Sequence, residues 1–317
     1  MAQIDLSGII YSDGTVQTSL KGQVKAIFGY GYSSTQQSMT NLVSNSGVVA
    51  IDTTGVGTAR FSLAAAGYGG DKAIFGYGAY LDSNSNTIPV SMTNLVSNQG
   101  VVATDTTGVG TARSALAAAG YGSDKAIFAY GHTNPANLNT SPQSIINRVS
   151  NVGVVATNAT GVGTVRYGLA AAGYGGDKAI FGYGYNDSIF LSMTNLVAND
   201  GTIVGDTTGV GTARSYLAAA GYGGDKAIFG FGAGYVGYSI TNLVSNQGVV
   251  ATDTTGVGSA RDDLAAAGYG GDKAIFGYGF SPLFNTTNLV SNQGVVATDT
   301  SGVGTARRGL AAASYFS

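Results

Sequence analysis

One block of sequence, R-F-S-L-A-A-A-G-Y-G-G-D-K-A-I-F-G-Y-G from Arg60 to Gly78, recurs in close copies along almost the whole chain. The lysine that opens K-A-I-F stands at Lys25, Lys72, Lys125, Lys178, Lys226 and Lys273, and the arginine ahead of L-A-A-A at Arg60, Arg113, Arg166, Arg214, Arg261 and Arg307. From Arg60 onward, 12 residues separate an arginine from the next lysine, and 19 separate Asn41, Asn94, Asn147, Asn195, Asn242 or Asn288 from the arginine that follows. All change in length falls between the last glycine of F-G-Y-G or its equivalent (Gly31, Gly78, Gly131, Gly184, Gly232 or Gly279) and the next of those asparagines. A rigid frame with one elastic segment per unit is what a closed radial array requires. Every unit must pack on its neighbours in the same way, while one exposed connection is free to grow.

The repeat places residues 25–317 in one domain and leaves residues 1–24 as an N-terminal arm. None of the 317 residues is cysteine, which excludes disulfides, thiolate metal sites and thiol nucleophiles. All 17 acidic residues are Asp, and of the 15 basic ones only Lys21, Arg148 and Arg308 lie outside the repeated positions. A net charge of -2 with no basic cluster argues against a nucleic-acid partner. No apolar run is long enough to cross a bilayer and the N-terminus lacks a basic start, so neither membrane insertion nor a signal peptide is expected.

Within each unit the pattern predicts four strands. For the second unit they are strand a over 63–68, strand b over 72–78, strand c over 93–97 and strand d over 101–104. Gly69-Gly70-Asp71 and Asn98-Gln99-Gly100 supply turns that tolerate positive φ. Helix is disfavoured, because β-branched and aromatic residues alternate with glycine and no 3.6-residue apolar period persists. Alternation in strand b puts Ala73, Phe75 and Tyr77 on one face and Ile74, Gly76 and Gly78 on the other. The bulky face of one unit is therefore expected to fit the bare glycine face of the next.

Four short strands, a period of about fifty residues, glycine after strand b and arginine ahead of strand a resemble the kelch repeat. The resemblance covers residues 25–317, although the chain has no Trp and shows G-Y-G where kelch repeats commonly carry paired glycines. It implies an all-β fold, a six-bladed kelch-like β-propeller with four antiparallel strands per blade. The first unit begins at strand b with Lys25, and the last ends after strand a with Leu310 to Tyr315. The C-terminal strand is accordingly expected to complete the first blade and close the ring.

Little in the frame points to catalysis. The repeated Arg and Lys read as structural, pairing with neighbours such as Asp105 or Asp124 or capping carbonyls between blades. The Asp-Thr-Thr-Gly turns offer one carboxylate each, too few for calcium, and read as solvated turns. His132 has no second histidine, cysteine or glutamate to form a metal site or triad, and reads as a surface contact residue. Asp262-Asp263 is a pair with acid-base potential, but nothing in the sequence marks it as perturbed. No cofactor, no metal and no enzymatic activity are expected.

The elastic segments differ in kind, being rich in Tyr, Phe, Asn and Ser, the composition of recognition loops and sugar-binding surfaces. Because the four strands alternate in direction, the b-to-c loops and the d-to-a connections emerge on one face. Both kinds of internal variation therefore meet there, with Tyr80, His132, Asn134, Tyr185, Phe190, Tyr235, Tyr238 and Phe284 as candidate ligand-binding residues. The near-invariant turns and the arm lie on the other face.

In the arm, an Asp-Gly turn flanked by Ile9-Ile10-Tyr11 and Val16 predicts a hairpin. The stretch G-I-I-Y-S-D-G-T-V-Q-T-S resembles one met in bacteriophage tail-fibre and other virion proteins. That resemblance implies a virion location, with Ile9, Tyr11, Asp13 and Gly14 as candidate attachment residues and other virion proteins as partners. The function expected is a fibre or spike module binding a host-surface glycan. A purely structural decoration or joining protein and a glycan-cleaving enzyme are the alternatives, and homo-oligomerisation is left open.

Overall fold

The computed structural model describes residues 3–5, 8–10, 16–17, 23–133 and 141–317. The described residues are all-β, without a helix, in antiparallel sheets of two or three strands whose arrangement is propeller-like. In the arm, Gly8–Ile10 pairs with Gln3–Asp5 and with Val16–Gln17. The span between Ile10 and Val16, which holds Tyr11, Asp13 and Gly14, lies outside the described residues, and of Ile9 only the backbone is described.

Between residues 23 and 317 six sheets repeat one pattern. In the second unit Ala64–Tyr68 pairs with Lys72–Gly76, which pairs in turn with Thr93–Val96. Glycine follows Tyr68 because the turn needs it, with Gly69 at φ 65° and Gly70 at φ 79°. One sheet joins the two ends of the chain, with Ala311–Phe316 paired to Val24–Tyr32 and that strand to Gln36–Val43. The inner strands adjoin one another in a cycle: Ala64–Tyr68, Ala117–Tyr121, Ala170–Tyr174, Ala218–Tyr222, Ala265–Tyr269 and Ala311–Phe316, the last returning to the first.

The fourth strand is not a ladder. Residues 101–106 meet the third strand through isolated bridges, Val96 with Val102 and Thr93 with Thr106. Asn94 explains the interruption: its Nδ2 donates to the Ala103 carbonyl at 3.0 Å and to Asp105 Oδ1 at 2.9 Å, so a side chain takes the place of ladder bonds.

Each apolar cluster straddles two consecutive units. Ile74 and Tyr77 of the second pack with Leu116, Ala126 and Phe128 of the third. The glycine floor is real: a Cβ on Gly76 would lie 2.7 Å from the Phe128 ring, and one on Gly182 would lie 2.8 Å from that of Phe229. The tyrosine, however, sits on the opposite face from the one alternation assigns. Tyr77 adopts φ 63°, a left-handed residue that inverts the side-chain order after Gly76 and turns the ring onto Phe128, with centroids 5.1 Å apart. The third unit has Ala129 at the glycine position, and there the Tyr130–Phe181 separation widens to 5.6 Å. One methyl is thus absorbed by a small shift. Gly182→Val, with two more carbons, should overpack the same interface and cost about 1–3 kcal/mol, and Gly182→Ala should cost less. Urea denaturation of both variants checks the order; a neutral valine would contradict glycine-floor packing.

The repeated arginines tie the units together. Arg60 is fully buried; its Nε donates to the Tyr77 carbonyl at 2.8 Å, one terminal nitrogen to the Thr58 carbonyl at 3.1 Å and the other to Asn94 Oδ1 at 2.7 Å. Its guanidinium lies 4.3 Å from the centroid of Tyr30 in the preceding unit. Asp105, of the Asp-Thr-Thr-Gly turn, stands 3.8 Å from Arg60 and accepts from the N–H and hydroxyl of Thr58. Instead of standing free in solvent, that carboxylate is committed to the frame, and the hydrogen bonds it accepts hold its pKa below the ordinary value against the burial that would raise it. In the third unit Asn158 fills the same place and keeps the bond to Thr111 without the charge.

Candidate functional site

The first residue of each elastic segment pairs with the first residue after each frame arginine. The bridges are Tyr32 with Arg308, Phe61 with Ala79, Ser114 with His132, Tyr167 with Tyr185, Ser215 with Ala233 and Asp262 with Phe280. The two variable parts of the sequence therefore share one face. One residue further, a backbone hydrogen-bond cycle closes around the centre: Ser62 N–H donates to Gly309, Gly309 to Asp263, Asp263 to Tyr216, Tyr216 to Gly168, Gly168 to Ala115 and Ala115 to Ser62, all within 2.6–2.8 Å. All six residues are left-handed, with φ between 51° for Ser62 and 61° for Gly168. Side-chain identity is free there, because the cycle uses only backbone groups.

Beside this cycle a cavity of about 510 Å³ opens between Tyr32, Phe61, Ser62, Leu81, Thr87, Tyr216, Asp262, Asp263, Phe280, Arg308 and Gly309. The Arg308 guanidinium lies over Phe280, 4.4 Å from its centroid, with Tyr32 at 5.8 Å, and Tyr32 meets Phe61 edge-on at 5.6 Å. The two carboxyls are half-buried. Burial raises the pKa of Asp262 against the pull of Arg308, and Oδ1 of Asp262 is shielded from solvent with no hydrogen-bond partner. Burial, opposed by Arg308 and assisted by Asp262, pushes Asp263 from 3.8 to about 6. Burial likewise raises the Tyr216 hydroxyl, which stays a neutral donor.

A carboxyl with a raised folded pKa is stable as the acid and penalises the fold once ionised. The stability Asp263 lends is therefore present below its ordinary pKa and lost as pH rises through about 6. Asp263→Asn, which also suits φ 54°, should raise the melting temperature at pH 7.5 and lose that advantage at pH 4. Thermal melts at the two pH values check this; an equal effect at both would contradict it.

The structure places the sequence-derived candidates unevenly. Tyr185, Phe190 and Tyr235 form an aromatic run, with centroids 5.0 Å apart for the first pair and 5.6 Å for the second, and Tyr235 is 97% exposed. Tyr167 extends the run from Tyr185 at 5.7 Å toward Tyr216 at 6.4 Å. His132 is a correction: instead of facing solvent it is 6% exposed and packs edge-on to Tyr167 with centroids 4.6 Å apart, so an aromatic ring of the next unit covers it. Burial lowers its pKa to about 4, so the ring is neutral at pH 7. Tyr80, Tyr238 and Phe284 are half-buried and stand outside the aromatic run, and Asn134 lies outside the described residues. Tyr32, Phe61, Tyr216, Asp262, Asp263, Phe280 and Arg308 were not among those candidates. Their signal was present as the variable pair after each arginine and as one of the three basic residues outside the repeat.

The opposite face carries the Gly-Tyr-Gly-Gly-Asp turns around a depression of about 370 Å³, with Val24 and Phe316 in its wall. The exposed lysines there pair with the aspartate before them, as Lys125 does with Asp124 at 2.8 Å. Such exposed pairs contribute little to stability.

No protein-family model matches the chain, and no curated protein matches it. Among solved structures the chain is similar to that of YjhT, with a TM-score of 0.60 and 9% identity over 89% of this chain and 98% of that one. At that identity the likeness concerns the fold alone.

Proposed function

We propose that residues 25–317 form a six-bladed, kelch-type β-propeller closed by its C-terminal strand, and that its variable face binds a host-surface glycan. The carrying observation is the cavity that joins Tyr32, Phe61 and Phe280 with Asp262, Asp263 and Arg308. Aromatic faces for sugar rings, with carboxylates and a guanidinium for hydroxyls, make up the chemistry of a saccharide site. The aromatic run ending in Tyr235 offers a second contact for a longer chain. Residues 1–24 act as an arm fastening the protein to other virion components, so that the molecule is a bacteriophage fibre or spike module. That part rests on the likeness of the arm to virion attachment segments. Binding without turnover is proposed, because the frame arginines and lysines already have structural partners.

A glycan array probed with the full chain tests the reading. Binding that falls at least tenfold in Phe280→Ala supports it. An array with no positive glycan leaves a purely structural virion role as the better account, and loss of glycan chain length during incubation would instead favour the hydrolase.

A further inference from the structure

Two polar groups of residues lining the 510 Å³ cavity have no side-chain hydrogen-bond partner among the described residues. The Arg308 guanidinium lies over the Phe280 ring, and among the described residues it makes neither an ion pair nor a side-chain hydrogen bond. Asp262 Oδ1 is shielded from solvent and receives no donor, although the backbone of Asp262 is fixed by reciprocal bonds with Phe280 at 3.3 and 2.8 Å. The two line one cavity from neighbouring units, since Arg308 precedes Ala311–Phe316 and Asp262 precedes Ala265–Tyr269. The same cavity has an apolar part of its wall in Phe61, Leu81 and Phe280.

One acceptor, one planar donor and an apolar wall define a ligand group with one donor, one acceptor and a small apolar end. An ammonium only donates, and would face Arg308 with like charge. A carboxylate only accepts, and would face the aspartates. An acetamido group matches all three features, with its N–H for the Asp262 carboxylate, its carbonyl for Arg308 and its methyl for the aromatic wall. On the reading that this face binds sugar, we propose that the cavity selects N-acylated amino sugars through Asp262 and Arg308. A site built to hydrogen-bond a group rejects the analogue that lacks it, because its own polar groups are then left unpaired.

Isothermal titration of the full chain with N-acetylglucosamine, N-acetylgalactosamine, glucosamine and glucose at pH 7.5 tests this. At least one N-acetyl sugar should bind about tenfold or more tighter than both sugars that lack the acyl group. Asp262→Ala and Arg308→Ala should each bring that ratio to within about threefold, in proteins whose melting shows them folded. Equal affinities, a preference for glucosamine, or an array whose positive glycans all lack N-acyl groups would overturn the acetamido assignment while leaving glycan binding intact. An array without any positive glycan would overturn both.

Discussion

Deleting residues 308–317 should abolish cooperative folding of the whole array and not merely trim one strand. The lost segment supplies the inner strand of the sheet that also contains Val24–Tyr32, and it lies between the inner strands Ala265–Tyr269 and Ala64–Tyr68. Leu310 leaves one interface cluster, while Ala311, Ala313 and Tyr315 leave the next. Bonds to both neighbouring units go with them: Phe316 N–H to the Asp71 carbonyl, Ser62 N–H to the Gly309 carbonyl, Ser314 Oγ to the Gly268 carbonyl at 2.7 Å and Gly309 N–H to the Asp263 carbonyl. Burial of Leu and Tyr is worth about 1.5–3 kcal/mol per side chain, so the loss approaches the 5–15 kcal/mol total typical of a domain. Circular dichroism melts would show a broad, early transition. A truncated protein that melts like the full chain would refute closure through the C-terminal strand.

Arg60→Ala should destabilise the fold by about 3–5 kcal/mol, since removing one member of a buried charged network leaves the others without donors. The orphans are the Tyr77 carbonyl, the Thr58 carbonyl and Asn94 Oδ1, and the Tyr30 ring loses the guanidinium stacked on it. Arg60→Lys should recover little, because a single ammonium cannot span acceptors that a planar guanidinium reaches with three nitrogens. Urea unfolding of the two variants decides the point. A loss below about 1 kcal/mol for the alanine would mean that the arginine is a passenger in the frame.

The frame was legible because it is local and repeated. Gly-rich turns, an alternating strand b and a constant arginine-to-lysine distance need no knowledge of neighbours, and strands a, b and c lie within two residues of their expected bounds. Tyr77 was misplaced because alternation presumes an unbroken strand, whereas φ 63° inverts the order after Gly76. Strand d was over-read because Asn94, a side chain from another segment, occupies the ladder positions. Ser314 replaces glycine in the last inner strand, and the structure gives it a partner in the Gly268 carbonyl.

The sequence by itself determined the repeating unit, its strand order, the partnership of the two chain ends and the face on which variation gathers. All of these follow from spacing and strand direction. Only the tertiary structure decided which variable residues meet. Tyr32, Asp262 and Arg308 come together because the first and last sheets are neighbours, and His132 is buried against Tyr167 of the next unit. Contacts between residues that far apart in the chain depend on how the sheets are arranged relative to one another, a property of the assembled domain that no single repeat contains.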